Sequence, residues 1–305
     1  METRQAFGFS IHSELPLPDL APAEVSHADV QVRLGKTPSE LAGAVVAGQR
    51  SQATPDAFLL AVPDVARFLV QRGEEIVVEV EAGASPGAVR TFLLGTALGA
   101  LCYQRGLLPL HANAVAIEGR CVAIGGPSGA GKSTLGAHLA RRGHDLVADD
   151  VCAVRFDAGG AAWVQPGVRQ HKLWSDALTR LGHDTAGLER VVGDRDKYVL
   201  PSKRPASDKP IRLERLYLLS KPGAGDGGFR QLGGVTALRA LIANTYRFEI
   251  GAAMGLRTAI HAQAITLLRQ AALYRFRRRW GFDAIDDEVL ALERHVQAAV
   301  SEPAT

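Results

Sequence analysis

Apolar and polar positions alternate with a period of two in short stretches of the first eighty residues. The run Phe7–Ile11 alternates, Leu15-Pro16-Leu17-Pro18 breaks it, and Asp29–Leu34 alternates again. Ala57–Val62 and Glu75–Val80 follow, bounded by Gly or Pro, and all four read as strands. Ser85-Pro86 then opens a helix, with Ser as cap, Pro at the first helical position, a stripe at Val89, Leu93 and Leu101, and a stop at Gly106. Residues 1–84 are therefore read as a small strand-rich N-terminal lobe and 85–305 as the main domain. In the latter, Asn113–Ile117, the turn Glu118-Gly119 and Arg120–Ile124 form a hairpin. A glycine-rich segment follows, then a helix to Arg142 stopped by Gly143, and a short strand Asp145–Ala148. The Gly, Pro and basic residues of 188–212 predict a mobile loop, Leu213–Leu219 a strand, and Gly223–Gly228 a flexible turn. The rest reads as mostly helical. Its last helix carries Ile285, Val289, Leu292 and Val296 on one stripe, Asp283 at its cap, and Asp286, Asp287 and Glu288 in its first turn.

Composition narrows the class. The 305 residues are 47% hydrophobic and 22% charged, enough for a sizeable core and too apolar for wholesale disorder. Lys and Arg number 35 against 32 Asp and Glu, a net +3, which argues against a dedicated nucleic-acid binder. Cys102, Cys121 and Cys152 show no CxxC or zinc spacing and read as reduced thiols. Met1–Gln5 has no signal-peptide core, and no apolar run is long enough to span a bilayer. The expectation is a soluble cytoplasmic protein with no nucleic-acid or membrane partner. Self-association is left open.

The chemistry concentrates in Gly126-Pro127-Ser128-Gly129-Ala130-Gly131-Lys132-Ser133, a full GxxxxGK[ST] match between a strand and a helix. Glycines let backbone N–H groups turn inward around a phosphate at a helix N-terminus. Lys132 would reach the β and γ phosphates, and the Ser133 hydroxyl would ligate Mg²⁺. With Thr134, residues 126–134 are the expected ATP-binding segment. Asp149 and Asp150 lie 17 and 18 residues beyond Lys132. A helix of about eleven residues, roughly 16 Å long, followed by a strand returning beside the loop strand, would set both carboxylates at the ligand-binding edge of the sheet. One can hold Mg²⁺ and the other accept a proton from an attacking hydroxyl. No NKxD base-reading motif is present; Asp157-Ala158-Gly159-Gly160 has a DxxG spacing that is common in turns, and Gln231–Gly234 imitates LSGGQ poorly.

Leu110-His111-Ala112-Asn113-Ala114-Val115, together with Gly126 through Arg142-Gly143-His144-Asp145-Leu146-Val147-Ala148-Asp149-Asp150, resembles the HPr kinase/phosphorylase family over about 40 residues. The resemblance implies an α/β fold with a P-loop kinase core of HPr-kinase type, a mixed sheet and a helical C-terminal region. It further implies Asp150 as proton acceptor from a substrate serine, Lys132 and His111 around the γ-phosphate, and Ser133 as a magnesium ligand. Taken alone, His111 would read as an ordinary hydrogen-bonded histidine at a strand end. Thr134 stands where HPr kinases usually carry Glu, and Pro166–Trp174 replaces their Glu-Ile-Arg-Gly-type segment, so HPr itself and the dephosphorylating activity fall outside what is implied. Gly95–Gly99, Pro166-Gly167 with Leu173-Trp174, and Trp280–Asp283 look like the HPr-kinase-related serine kinases, including those acting on the C-terminal serine of lasso-peptide precursors.

Cations complete the expectation. Arg195, Lys197, Lys203 and Arg204 could close over a transferred phosphate as a lid, Lys197 first among them, with Arg169 and Lys172 as further candidates. Tyr274–Trp280 is the most basic run; with period two it reads as an edge strand with one solvated basic face. The expected function is ATP-dependent transfer of a γ-phosphoryl group to a serine of a peptide or small protein. Ser133 with Asp149 would hold the metal. The rivals are a kinase of a small hydroxylated molecule, such as free serine or a polyol, and a nucleotide-binding regulator that transfers nothing.

Overall fold

The computed structural model describes residues 2–25, 27–191, 196–202, 208–220, 227–279 and 281–298, apart from the side chain of Phe282. Nine strands of the first eighty residues form one mixed sheet: β1 (Glu2–Ala6), β2 (Phe9–Ser13), β3 (Ala21–Pro22), β4 (Val30–Leu34), β5 (Val45–Val46), β6 (Ser51–Ala53), β7 (Ala57–Val62), β8 (Ala66–Gln71) and β9 (Glu75–Val80). Their order is β3-β1-β2-β4-β9-β8-β7-β6-β5. The alternating run Phe7–Ile11 is not one strand. Phe7 and Gly8, both at positive φ, make the turn between β1 and β2, and Phe7 packs inward as a turn residue.

Ser85 caps α1 (Pro86–Phe92), its hydroxyl accepting from the Ala88 amide at 3.2 Å. The helix does not continue evenly. Leu93–Ala97 widens into a π-turn before α2 (Leu98–Gln104), a disturbance that in helices often marks a functional site. Tyr246 packs against this stretch: Gly95 and Gly99 leave room for its buried ring, and a Cβ on Gly99 would come within 2.7 Å of Tyr246 Cε1. The Tyr103 hydroxyl donates to Tyr246 O at 2.7 Å and fastens the two segments. Alanine is the better helix former by about 1 kcal/mol, yet Gly99→Ala should cost a net of about 1–2 kcal/mol through overpacking. Urea denaturation of the variant checks the sign.

The second sheet contains β10 (Leu108–Leu110), β11 (Ala112–Ile117), β12 (Arg120–Gly125), β13 (Asp145–Ala148), β14 (Cys152–Phe156) and β15 (Ala162–Val164). The ribbon β16 (Gln170–Trp174) and β17 (Lys197–Pro201) stands apart from it, and β18 (Ile211–Ser220), β19 (Gly228–Leu232) and β20 (Ala272–Arg277) complete the sheet. Its path runs β10-β14-β15-β18-β12-β11-β13, with β20 paired to β18 and β19 to β20. Glu118 and Gly119 take the two positive φ values a tight β11–β12 turn demands. The helices are α3 (Lys132–Arg141), α4 (Ser175–Arg180), α5 (Gly234–Ala243), α6 (Phe248–Ala253), α7 (Arg257–Gln270) and α8 (Ile285–Ala298).

Successive residues of the central strands bury into opposite layers. Val122, Ile124, Tyr217 and Leu219 meet Leu135, Leu139, Ile285, Val289 and Leu292 of α3 and α8. Cys121, Ala123 and Leu216 face the larger cluster that includes Leu101, Leu241 and Leu267 of α2, α5 and α7. A sheet covered on both faces explains why these strands read as continuous apolar runs. The larger cluster also takes in Phe7, Phe58 and Phe68, so one core joins both sheets.

Three expectations change. The strand after α3 does not return beside the loop strand: β13 pairs antiparallel with β11, which lies between β12 and β13. Lys197–Pro201, expected within a loop, pairs with β16 as a strand. Tyr274–Arg277 is no edge, since β20 is parallel to β18 on one side and antiparallel to β19 on the other. The expected flexible turn at Gly223–Gly228 lies outside the described residues up to 226. Among the described residues no helix is long and apolar enough to cross a membrane.

Candidate phosphate-binding and transfer site

Four strands, β12, β13, β18 and β20, run parallel, so their carboxyl ends lie at one edge of the sheet, with the start of β11 between the first two. That edge receives the glycine-rich loop after Gly125, the acidic pair after Ala148, Ser220, Arg278 and His111, where the topology of open α/β sheets places ligands.

The loop 126–131 turns on Gly126, Gly129 and Gly131, with φ of 133°, 79° and 86°, and delivers Lys132 to the first position of α3. The backbone N–H groups of Ser128, Gly129, Gly131, Lys132 and Ser133 donate to no other described residue. Unsatisfied donors at a helix N-terminus, with open space beside Gly129, suit an anion. The Lys132 ammonium donates to Gly126 O at 2.8 Å and Pro127 O at 3.2 Å. Burial holds it below the usual lysine value against the pull of Asp150 and Asp149. Asn244, just past α5, braces the start of the loop. Its side-chain oxygen accepts from Gly126 N at 2.8 Å, its side-chain amide donates to His111 O at 3.2 Å, and its backbone carbonyl accepts from His111 N at 2.8 Å.

Asp150 sits at φ 66°, with Val151 N bonded to Asp149 O at 2.7 Å across it, a γ-turn of the rare positive-φ kind. Strain of about 1–3 kcal/mol is typical of such residues and concentrates at functional positions. The turn presents the Asp150 carboxylate to His111 Nδ1 at 3.2 Å and to the Lys172 ammonium at 3.6 Å. Burial would raise its pKa, but the His111 hydrogen bond and the charges of Lys172, His111 and Lys132 outweigh it and hold Asp150 well below the carboxylate range. Asp149 is the opposite case. It is 4% exposed, neither carboxylate oxygen has a hydrogen-bond partner, and burial followed by the Asp150 charge pushes it up to about 7. The charges of Lys172 and Lys197 oppose this only in part.

These groups border a cavity of about 420 Å³. Ser128, Gly129, Ala130, Gly131, Lys132, Ser133 and Thr134 line it, as do His111, Asp150, Lys172 and Lys197. Gly126 and Pro127 face a neighbouring recess instead, and Asp149 lies behind the cavity wall. Arg169 does not line the cavity and pairs with Asp208 at 2.7 Å. Arg195, Lys203 and Arg204 lie outside the described residues. The β16–β17 ribbon accounts for the arrival of both Lys172 and Lys197, since Trp174 stands opposite Lys197. Asp157 is a turn residue: its carboxylate accepts from the Gly159 and Ala161 amides at 2.9 Å each.

Residues that the sequence did not single out also meet here. Arg278, past the end of β20, donates to Ala130 O at 3.2 Å and to Glu288 at 2.6 Å, tying the loop to α8. The Tyr246 ring lies 5.9 Å from that of His111. Arg278 was visible only as part of a basic run; Asn244 and Tyr246 carried no signal.

No protein-family model matches the chain, and no curated protein matches it in sequence. Among solved structures it is similar to the Hpr(Ser) kinase/phosphatase from Coxiella burnetii, at 15% identity over 63% of this chain and 98% of that one, with a TM-score of 0.32. A likeness of that size assigns no residue a role.

Proposed function

We propose that the chain is an ATP-dependent phosphotransferase that moves a γ-phosphoryl group to a serine hydroxyl of a peptide or small protein. The observation that carries this reading is the convergence on one cavity of an unsatisfied glycine-rich loop, Lys132, and a carboxylate held by His111. The free N–H groups of the loop and Lys132 bind and orient the triphosphate. Asp150 then takes the proton of the attacking hydroxyl as the oxygen–phosphorus bond forms and the bond to ADP breaks. In the ligand-free protein the nearby cations make Asp150 a weak base. Phosphate charge arriving beside Lys132 and Lys172 opposes them and raises its proton affinity. His111 fixes the orientation of Asp150.

A buried carboxylate with two unpartnered oxygens fits a cation, and Ser133 lines the adjoining cavity, so Ser133 and Asp149 are the residues that would hold Mg²⁺. When bound, Mg²⁺ would neutralise phosphate charge.

The test is mass-spectrometric detection of added phosphate on a pool of serine-bearing peptides and small folded proteins, with Mg·ATP, wild type beside Lys132→Ala. Phosphoserine produced by wild type alone is the expected result. ADP accumulating only with added amino acids or polyols would move the acceptor to small molecules. Nucleotide bound without turnover would leave a regulator.

A further inference from the structure

The recess on the far side of the loop has a volume of about 740 Å³ and shares His111 and Ser220 with the phosphate-loop cavity. It is lined by Arg275 and Arg277 of β20 and by Asn244. Arg230 of β19 stands directly opposite Arg275 in the antiparallel ladder and so shares its face of the sheet. Like charges directly opposite one another destabilise a sheet. Among the described residues no carboxylate pairs with Arg230, Arg275 or Arg277. The Ser220 hydroxyl, in the wall between the two recesses, is buried without a hydrogen-bond partner. Two guanidinium groups line a recess that also includes His111, which is paired to Asp150, and the third stands across the ladder from Arg275; among the described residues none of the three has a carboxylate partner. Among the described residues no acidic side chain lines the recess, and no aromatic ring other than the imidazole of His111 offers a base a stacking platform.

We propose that this recess is the acceptor site and that it selects an acidic peptide, a segment whose reacting hydroxyl is flanked by carboxylates. The carboxylates pair with Arg275, Arg277 and Arg230, and the hydroxyl reaches past Ser220 to the Asp150–His111 pair. Arginine suits this task because its planar fork grips a carboxylate with two parallel hydrogen bonds. The identity of the reacting hydroxyl rests on the phosphoryl-transfer reading; the binding of the acidic segment does not.

Fluorescence anisotropy with labelled serine peptides tests the binding by itself, and phosphoserine formation is followed on the same peptides. Four probes are compared: Asp/Glu-flanked with an amidated terminus, neutral with a free carboxylate beside the serine, neutral and amidated, and Lys-flanked. Wild type should prefer the carboxylate-bearing probes, the more so at low salt. Arg275→Gln/Arg277→Gln should bind them at least about tenfold more weakly, the loss of close charge pairs, with ATP affinity unchanged. Retention of the amidated acidic probe assigns the contact to side-chain carboxylates; retention of the free-terminus probe alone assigns it to the chain end. Arg277→Glu should shift preference toward the Lys-flanked probe, which guards against a double variant that fails to fold. Equal binding of acidic and neutral probes by wild type, or an oligonucleotide of matched charge displacing the acidic probe at lower concentration, overturns the proposal. Selective binding of acidic probes without phosphoserine leaves the recess assignment standing and removes the transfer reading. Equally tight binding of all probes with phosphoserine formed does the reverse.

Discussion

Asp150→Asn should slow phosphoryl transfer by about 10²–10⁴-fold, the usual contribution of a positioned general base, while ATP affinity stays the same or rises. Asparagine is nearly isosteric with aspartate and is among the few residues that tolerate positive φ, so the γ-turn at φ 66° survives the change. What is lost is the proton acceptor. Removing the carboxylate also leaves Lys172 without its partner at 3.6 Å and relieves Lys132 of a negative neighbour, so the cavity becomes more positive. A triphosphate should therefore bind at least as well. Single-turnover rates beside nucleotide titrations separate the two effects. Full activity in the variant would remove Asp150 from the chemistry.

Asp149→Asn should stabilise the ligand-free protein at pH 8 and far less at pH 4. The Asp149 carboxyl, pushed up to about 7 by burial and by Asp150, keeps its proton in the folded chain where the unfolded chain, near 3.8, has released it. Below the unfolded value both states hold the proton and the group costs nothing. As pH rises from about 4 to about 7 the folded state loses stability, and above that window it carries the full cost of a buried charge. The rise from 3.8 to about 7 sets an upper limit of about 4 kcal/mol on that cost. At roughly 2 °C per kcal/mol for a chain of this size, thermal melts at the two pH values resolve the difference. Added Mg·ATP should reverse the order, because the bound cation favours the ionised wild-type residue. Equal melting of the two proteins at pH 8 would show that ionised Asp149 carries no burial cost.

Much of this arrangement is legible in the sequence alone. Ala57–Val62 and Glu75–Val80 are strands over the bounds read from the sequence, and the Glu118-Gly119 turn, α3 and the strand before Asp149 lie where local pattern sets them. Those signals are local: a period, a cap or a turn residue. Phe7–Ile11 failed because a turn can hide inside an alternating run when its first residue is apolar and packs inward. Lys197–Pro201 failed because its strand character comes from β16, more than twenty residues away. The mistaken edge at β20 has the same origin, since pairing order is not written in either strand. In the site, the glycine loop and Asp150 were readable from chemistry at fixed spacing. Asn244 was not, because a lone amide acquires meaning only when the fold lays it between Gly126 and His111.

The turn at Phe7 bears on how the protein would fail when heated. Phe7 is fully buried, its amide donates to Pro166 O at 2.6 Å, and its ring fills the space beside Gly167. The next residues hold the acidic pair from behind: Gly167 N bonds to Val147 O at 2.9 Å and Asp149 N to Val168 O at 3.0 Å. The β1–β2 hairpin is therefore a wedge under Asp149 and Asp150, driven in from a sheet none of whose described side chains lines the cavity. Melting of that sheet withdraws the wedge, so disorder at Asp149 and Asp150 and the loss of the N-terminal strands should be one event with one midpoint.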